Sequence, residues 1–367
     1  MKVPFYRIRD QHDHLMDSIM KRIEDVFRTD RYIMGPIVEK FEAKFASEMG
    51  ARHAFGVASG TDALLLALRA LDLQPEHEVI VPVFAYISVA DVVLRVGATP
   101  VFVDVDPLTG LMDLTKAEAV INENTRAIIP VHLYGKAVNM ISLMETARKH
   151  NIAVIEDCSH ATGAEFHGRK MGTFGQFGCY SFYPTMSLGG VGDGGMMIVE
   201  NDETAERVKK FRDHGRVAPL YFDEIGYNSR LDAIQATVLH IKLDELQDSN
   251  ADRIENARFY NHYFADANAV LPEIPDDGSH VFNFYTLQVA QRDALEIYMK
   301  EKKIGCGIYY PVPLHLQPCF DFFEYKEGDY PQAEQLSKRV ISLPVFPGMK
   351  RQEIQHVAEN VLAFLNG

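Results

Sequence analysis

Apolar residues recur every three or four positions between residues 13 and 28 (Leu15, Ile19, Ile23, Val26, Phe27), with charged residues between them. That spacing predicts a helix with one buried stripe. Gly35-Pro36 interrupts the pattern, and Val38, Phe41 and Phe45 resume a helical face. From residue 54 the texture changes. Strands are predicted at 54–57, 78–81, 99–104, 125–131 and 153–156, with helices at 61–71, 88–96 and 140–150 between them. This alternation predicts an α/β fold: a mostly parallel sheet covered by helices on both faces. Such sheets place ligands at the carboxyl ends of their strands. Past about residue 245 the texture changes again, to a long polar helix over 246–265, a Pro- and Asp-rich connection over 271–280, a strand at 282–289 and a helix at 294–302. We expect a large domain over 1–245 and a smaller C-terminal α+β domain over 246–367.

The 367 residues suffice for two domains at roughly 150 residues each. With 47% hydrophobic and 24% charged residues, a large core is expected and disorder is not. A net charge of −14 argues against nucleic acid as a partner. It leaves room for an anionic small molecule held by a local group of donors. The four cysteines (Cys158, Cys179, Cys306, Cys319) have no metal or redox spacing, so free thiols in a reducing cytoplasm are expected. The most apolar stretch, 79–94, is broken by Pro82 and Asp91, and no membrane span is expected. His12-Asp13-His14 lacks a third ligand and a buried setting, so no metal site is expected there.

Three short segments carry candidate chemistry. Ser59-Gly60-Thr61 joins a strand to a helix, so the amides of Gly60 and Thr61 can face a phosphate; a plain helix cap has the same signature. Asp157 ends the apolar run 152–155, where a carboxylate without a partner is strongly unfavourable. It reads equally as a helix cap. Tyr86, in Pro82-Val83-Phe84-Ala85-Tyr86, is an aromatic candidate that could also be core.

The segment Ser181-Phe182-Tyr183-Pro184-Thr185-Met186-Ser187-Leu188-Gly189-Gly190-Val191-Gly192-Asp193-Gly194-Gly195 closely resembles the active-site loop of the DegT/DnrJ/EryC1/StrS sugar aminotransferases. The resemblance runs from Gly35-Pro36 through Ser59-Gly60-Thr61, His132-Leu133-Tyr134-Gly135 and Glu156-Asp157 to Gly226-Tyr227-Asn228-Ser229-Arg230 and Tyr310-Pro311-Val312-Pro313-Leu314-His315. It implies a fold-type-I enzyme using pyridoxal phosphate or pyridoxamine phosphate. By the same resemblance Gly60, Thr61 and Ser181 hold the phosphate, Tyr86 stacks on the ring and Asp157 pairs with the pyridinium. His160 stands where the family usually has a glutamine beside the ring hydroxyl. Asn228 matches a residue lent to the neighbouring subunit's phosphate, which implies a homodimer with shared sites. The implied substrates are a keto sugar, nucleotide-linked or an ulosonic acid, with glutamate as amino donor. Tyr310 and His315 are candidate substrate contacts; Arg212, His214, Arg216 and Arg230 are candidate anion contacts, or simply solvated charge.

Met186 occupies the position of the family's Schiff-base lysine. A thioether can neither condense with an aldehyde nor carry a proton at neutral pH. Loss of a positioned base alone costs about 10²–10⁴-fold in rate, so a transamination-deficient form is expected. Three explanations stay open. One is replacement of the lysine in this form, since Lys and Met codons can differ by one base and Met fills the same unbranched volume. The chain could be a natural non-catalytic binding protein. Or it could serve a dehydratase-like chemistry, for which methionine lacks the basicity. Lys170 is a conceivable substitute nucleophile on sequence proximity alone.

Overall fold

A computed structural model of the chain describes residues 1–366, apart from the side chain of His12. Seven strands form the central sheet: β1 (His53–Val57), β2 (Glu78–Pro82), β3 (Thr99–Val103), β4 (Thr125–Ile128), β5 (Ala153–Asp157), β6 (Phe177–Ser181) and β7 (Gly195–Val199). Their order across the sheet is β1-β7-β6-β5-β4-β2-β3. Neighbours from β6 to β3 run parallel, whereas β7 is antiparallel to both β1 and β6. All five strands expected from the alternation are present, with ends shifted by up to three residues. The alternation does not announce β6 and β7, because a loop rather than a helix joins them.

The helices follow from ordinary end signals. Helix α1 (Met16–Thr29) precedes α2 (Pro36–Met49), which starts with Pro36 in its first turn and stops at Gly50, whose φ of +67° closes the last turn. Helix α3 (Gly60–Arg69) is capped by Ser59, whose hydroxyl accepts from the Asp62 amide at 3.0 Å. Residues 63–68 of α3 are all buried, so this helix is anchored between sheet and outer layer, and its N-terminus is rigid. No helix among the described residues is long and apolar enough to cross a membrane.

A second apolar cluster gathers Ala257, Tyr260, Phe264, Leu295, Ile341 and Val357 around the antiparallel pair β8 (Tyr285–Gln288) and β9 (Val340–Leu343). Helices α4 (Leu246–Tyr263) and α5 (Arg351–Leu365) cover it. Two crossings tie it to the first core. Val3, at the chain's start, bridges Ile304 and is buried in the second cluster, whereas Leu314, Phe320 and Leu336 return to the first.

Candidate active site

A cavity of about 600 Å³ opens where β1, β2, β5 and β6 end at their carboxyl edges. It is large enough for a cofactor and a small substrate together. Each strand delivers its residues in a short turn: Gly60 and Thr61 after β1, Tyr86 after β2, Asp157 and His160 at β5, Ser181 and Met186 at β6. All seven line the cavity, and so does Tyr310.

One end is a cradle of backbone. The start of α3 leaves the amides of Gly60 and Thr61 without intrahelical acceptors. A Cβ on Gly60 would lie 2.8 Å from the Ser181 Cβ, and one on Gly195 would lie 2.4 Å from the Ser59 carbonyl. Three chain segments therefore meet at a separation that only glycine allows, beside the Ser181 hydroxyl. A helix N-terminus with free amides and a hydroxyl fits a phosphate.

The middle of the cavity holds a carboxylate under strain of solvation. Asp157 is only 5% exposed. Its Oδ1 accepts from the Ser159 amide at 2.9 Å, and among the described residues no cation pairs with it. Burial pushes its carboxyl above the usual range, with hydrogen bonds from Ser159 and the nearby His132 opposing that rise. Its backbone is pinned on both sides, the amide donating to the Pro130 carbonyl (2.9 Å) and the carbonyl accepting from His132 (3.1 Å). A buried carboxylate of this kind calls for a cationic N–H partner, which a protonated pyridine ring provides. The cradle and the acid together fit pyridoxal phosphate.

His160 stands beside them. Its Nδ1 accepts from the Tyr134 amide at 3.2 Å, which leaves the proton on Nε2, and its ring stands edge-on to Phe284 at 5.0 Å. Burial lowers it to about 4, so it is a neutral donor at neutral pH. Behind Asp157, the buried His132, Glu156 and Cys158 present ligand-type atoms within 4.8 Å of one another. The Glu156 carboxylate is already engaged, accepting from the Gly172, Phe174 and Gly175 amides at 2.7 Å each. This group fastens the 172–175 turn to the strand that carries Asp157.

On the opposite wall, the Met186 amide donates to the Tyr183 carbonyl at 2.9 Å in a tight turn. The Met186 thioether lies 3.8 Å from Asn283 Nδ2, and Asn283 Oδ1 accepts from the Ser187 hydroxyl at 3.3 Å. No lysine or arginine is among the described residues that line the cavity. Lys170 sits outside it, 2.8 Å from Glu165.

Several candidates from the sequence have other surroundings. Arg212 is buried, pairs with Glu42, donates to the Gly56 carbonyl at 3.0 Å and lies over the Phe55 ring. Its charge is already met, so it braces β1 rather than offering itself to a substrate anion. His315 is likewise buried, 3.0 Å from Glu334, and lies outside the cavity. Arg230 and Arg216 both pair with Asp213, and His214 is exposed with its amide held by Tyr227. Asn228 is exposed and lines no part of this protomer's cavity. His14 lies 2.8 Å from Glu245, while the His12 side chain is outside the described residues.

The structure also brings in residues that local patterns did not single out. Tyr6, six residues from the start, reaches the cavity with its hydroxyl 3.0 Å from that of Tyr309. Asn283 and Phe284 come from the other end of the chain. The Val3–Ile304 bridge, the Arg7–Glu353 ion pair and the Phe5 ring against Phe284 bring the N-terminal segment here, and nothing in its own sequence marks it.

The DegT/DnrJ/EryC1/StrS aminotransferase family matches residues 13–362. A pleiotropic regulatory protein of Geobacillus stearothermophilus is 41% identical, over 99% of both chains. The UDP-N-acetyl-3-dehydro-α-D-glucosamine 3-aminotransferase of Acidithiobacillus ferrooxidans is 40% identical, over 100% of this chain and 98% of its own. Among solved structures, DesV of S. venezuelae superposes with a TM-score of 0.97 at 36% identity, covering 100% of this chain and 99% of that one. NtdA of Bacillus subtilis with bound cofactor PMP superposes with a TM-score of 0.91 at 28% identity, covering 100% of this chain and 86% of that one. The chain belongs to the DegT/DnrJ/EryC1/StrS aminotransferase family.

Proposed function

We propose that this chain binds pyridoxal phosphate or pyridoxamine phosphate in the 600 Å³ cavity and is built to aminate a nucleotide-linked keto sugar, with Met186 disabling rapid turnover. The observation that carries this reading is Asp157, a buried acid with no cation of its own. Gly60, Thr61 and Ser181 would hold the phosphate, Tyr86 would cover one ring face, and the His160 Nε2–H would donate toward the ring oxygen. Bound there, the cofactor supplies a protonated ring that withdraws electrons from the carbon bearing the amino group. Asp157 keeps the ring nitrogen protonated. Met186 provides no amine to tether the cofactor and no site to hold a proton between donor and acceptor carbons. Binding survives, because none of the cradle contacts uses residue 186.

The names of the relatives support a sugar attached to UDP or dTDP and an amino group at C3. Glutamate is the donor we propose. A homodimer with shared sites is supported by Asn228, which lies outside its own protomer's cavity, and by the adjoining apolar surface, where Leu220 is 91% and Ile225 83% exposed. We assign the cytoplasm as compartment, on free cysteines that include two buried thiols. The second apolar core supports a division near residue 245.

The discriminating experiment is Met186→Lys. The expected result is a visible absorbance band on mixing with pyridoxal phosphate, and glutamate-dependent amination. A protein that still binds the cofactor but remains inactive with lysine at 186 would instead be a non-catalytic binding protein. That outcome would sit naturally beside the regulatory name of the Geobacillus relative.

A further inference from the structure

A second, much smaller void of about 20 Å³ lies behind the Met186 turn. Tyr6, Thr185, Met186 and Phe284 line both spaces and form the partition between them. On the far side the void meets Arg253, from α4, and Asn283.

Arg253 is in an unusual position for a guanidinium. It is 4% exposed, and its single hydrogen bond among the described residues runs from Nη1 to the Ser249 carbonyl one turn earlier, at 3.2 Å. Among the described residues no carboxylate forms an ion pair with it. Asp252, its neighbour in sequence, is exposed and accepts from the Gly348 amide at 3.1 Å. The other buried charge nearby, Lys242, is also a cation, and it donates to the Gly189 carbonyl of the loop. Burial draws Arg253 down to about 10, which leaves it charged at neutral pH. Burying such a charge without an anion costs several kcal/mol, on the order of the penalty for breaking a buried ion pair.

The walls of the void are largely apolar, with Phe5, Ile8, Phe284, Leu343 and Val345 among them, and the polar groups are few. Gln11 and Thr185 bring polar side chains to its wall, while the Tyr6 hydroxyl is shared with Tyr309 and an N–H of Asn283 is aimed at the Met186 sulfur. No acidic side chain is among the described lining residues. A space of this volume holds about one water-sized particle. A buried guanidinium with a single backbone acceptor, a lining without an acid among the described residues and room for one particle together define an anion-binding geometry.

We propose that this void binds one small monovalent anion of about chloride's size, with Arg253 as its principal partner. The site does not depend on the cofactor, because it lies across the partition from the cradle. Its occupant would neutralise the positive charge directly behind the loop that carries Met186.

Two measurements test it. Crystals of the unmodified protein soaked in bromide should show an anomalous peak between Arg253 and Asn283. Thermal unfolding in potassium chloride should occur a few degrees above that in potassium gluconate at equal ionic strength, since a ligand of the folded state alone raises its stability by mass action. Arg253→Met should abolish that difference. A void without anomalous signal at high bromide, or an equal chloride increment in the Arg253→Met protein, would overturn the proposal. If the variant does not fold, the bromide experiment on the unmodified chain decides alone.

Discussion

The two walls of the cavity differ in what they cost the protein. On the strand-end wall, Asp157 is buried with one amide donor to its Oδ1 and no cation. Folding with that side chain ionised is unfavourable, and an amide of the same shape would be cheaper for the empty protein. On the loop wall, Met186 fills an apolar gap beside Asn283 and demands nothing from its surroundings. A charged lysine in its place would bring its own desolvation cost. One wall thus keeps a group that makes sense with a cationic ligand present, while the other carries a thioether that can neither condense with an aldehyde nor hold a proton. The lesson is that solvation strain marks function better than residue identity does.

The comparison breaks most sharply at residue 186. Met186→Lys is expected to raise glutamate-driven amination by about 10²–10⁴-fold, the usual worth of a positioned base, measured as product formed per enzyme. Next in size is a residue on neither wall. Arg212→Met strands the part-buried Glu42 carboxylate and should lower stability by about 3 kcal/mol, read by urea unfolding, with cofactor affinity unchanged in the folded fraction. A weakened cofactor Kd there would return Arg212 to the site.

Asp157→Asn sharpens the comparison from the other wall. Losing a charged hydrogen-bond partner, about 1.5–3 kcal/mol, should weaken cofactor binding roughly 10–100-fold in a fluorescence titration. The empty protein should respond in the opposite sense. Because burial raises the Asp157 carboxyl, the folded state binds more protons than the unfolded state between the ordinary carboxylate range and the raised value. Its contribution to stability is therefore full at low pH and is lost as pH rises through the raised value. The Asn variant should lack that loss and melt higher at neutral pH when cofactor-free. Smallest is Asn228→Ala, at about 0.5–1.5 kcal/mol for one neutral hydrogen bond. In the proposed homodimer the cofactor Kd should rise a few-fold, and dilution to monomers should erase the difference between the variant and the unmodified chain.

Much of this architecture was written in local patterns. The period of apolar residues marked the strands from β1 to β5 and the helices between them, because each pattern reflects burial of one face of one element. Gly60 at a strand-to-helix turn and Asp157 at a strand end could be singled out for the same reason: sheet topology brings such ends to one edge. The absence of an amine at 186 needed no coordinates at all.

Partnership was a different matter. Arg212 and His315 looked available in sequence, yet Glu42, 170 positions before Arg212, and Glu334 claim them in the fold. Tyr6, Asn283 and Arg253 carry no local signal, and they meet beside Met186 only because the chain's first residues bridge Ile304 and α4 packs behind the loop. Sequence alone determined which elements form and which chemical groups stand at their ends, since those depend on neighbours a few residues away. Tertiary structure alone decided which charges are spoken for and which are left without an opposite charge, since that depends on how separate elements pack against one another.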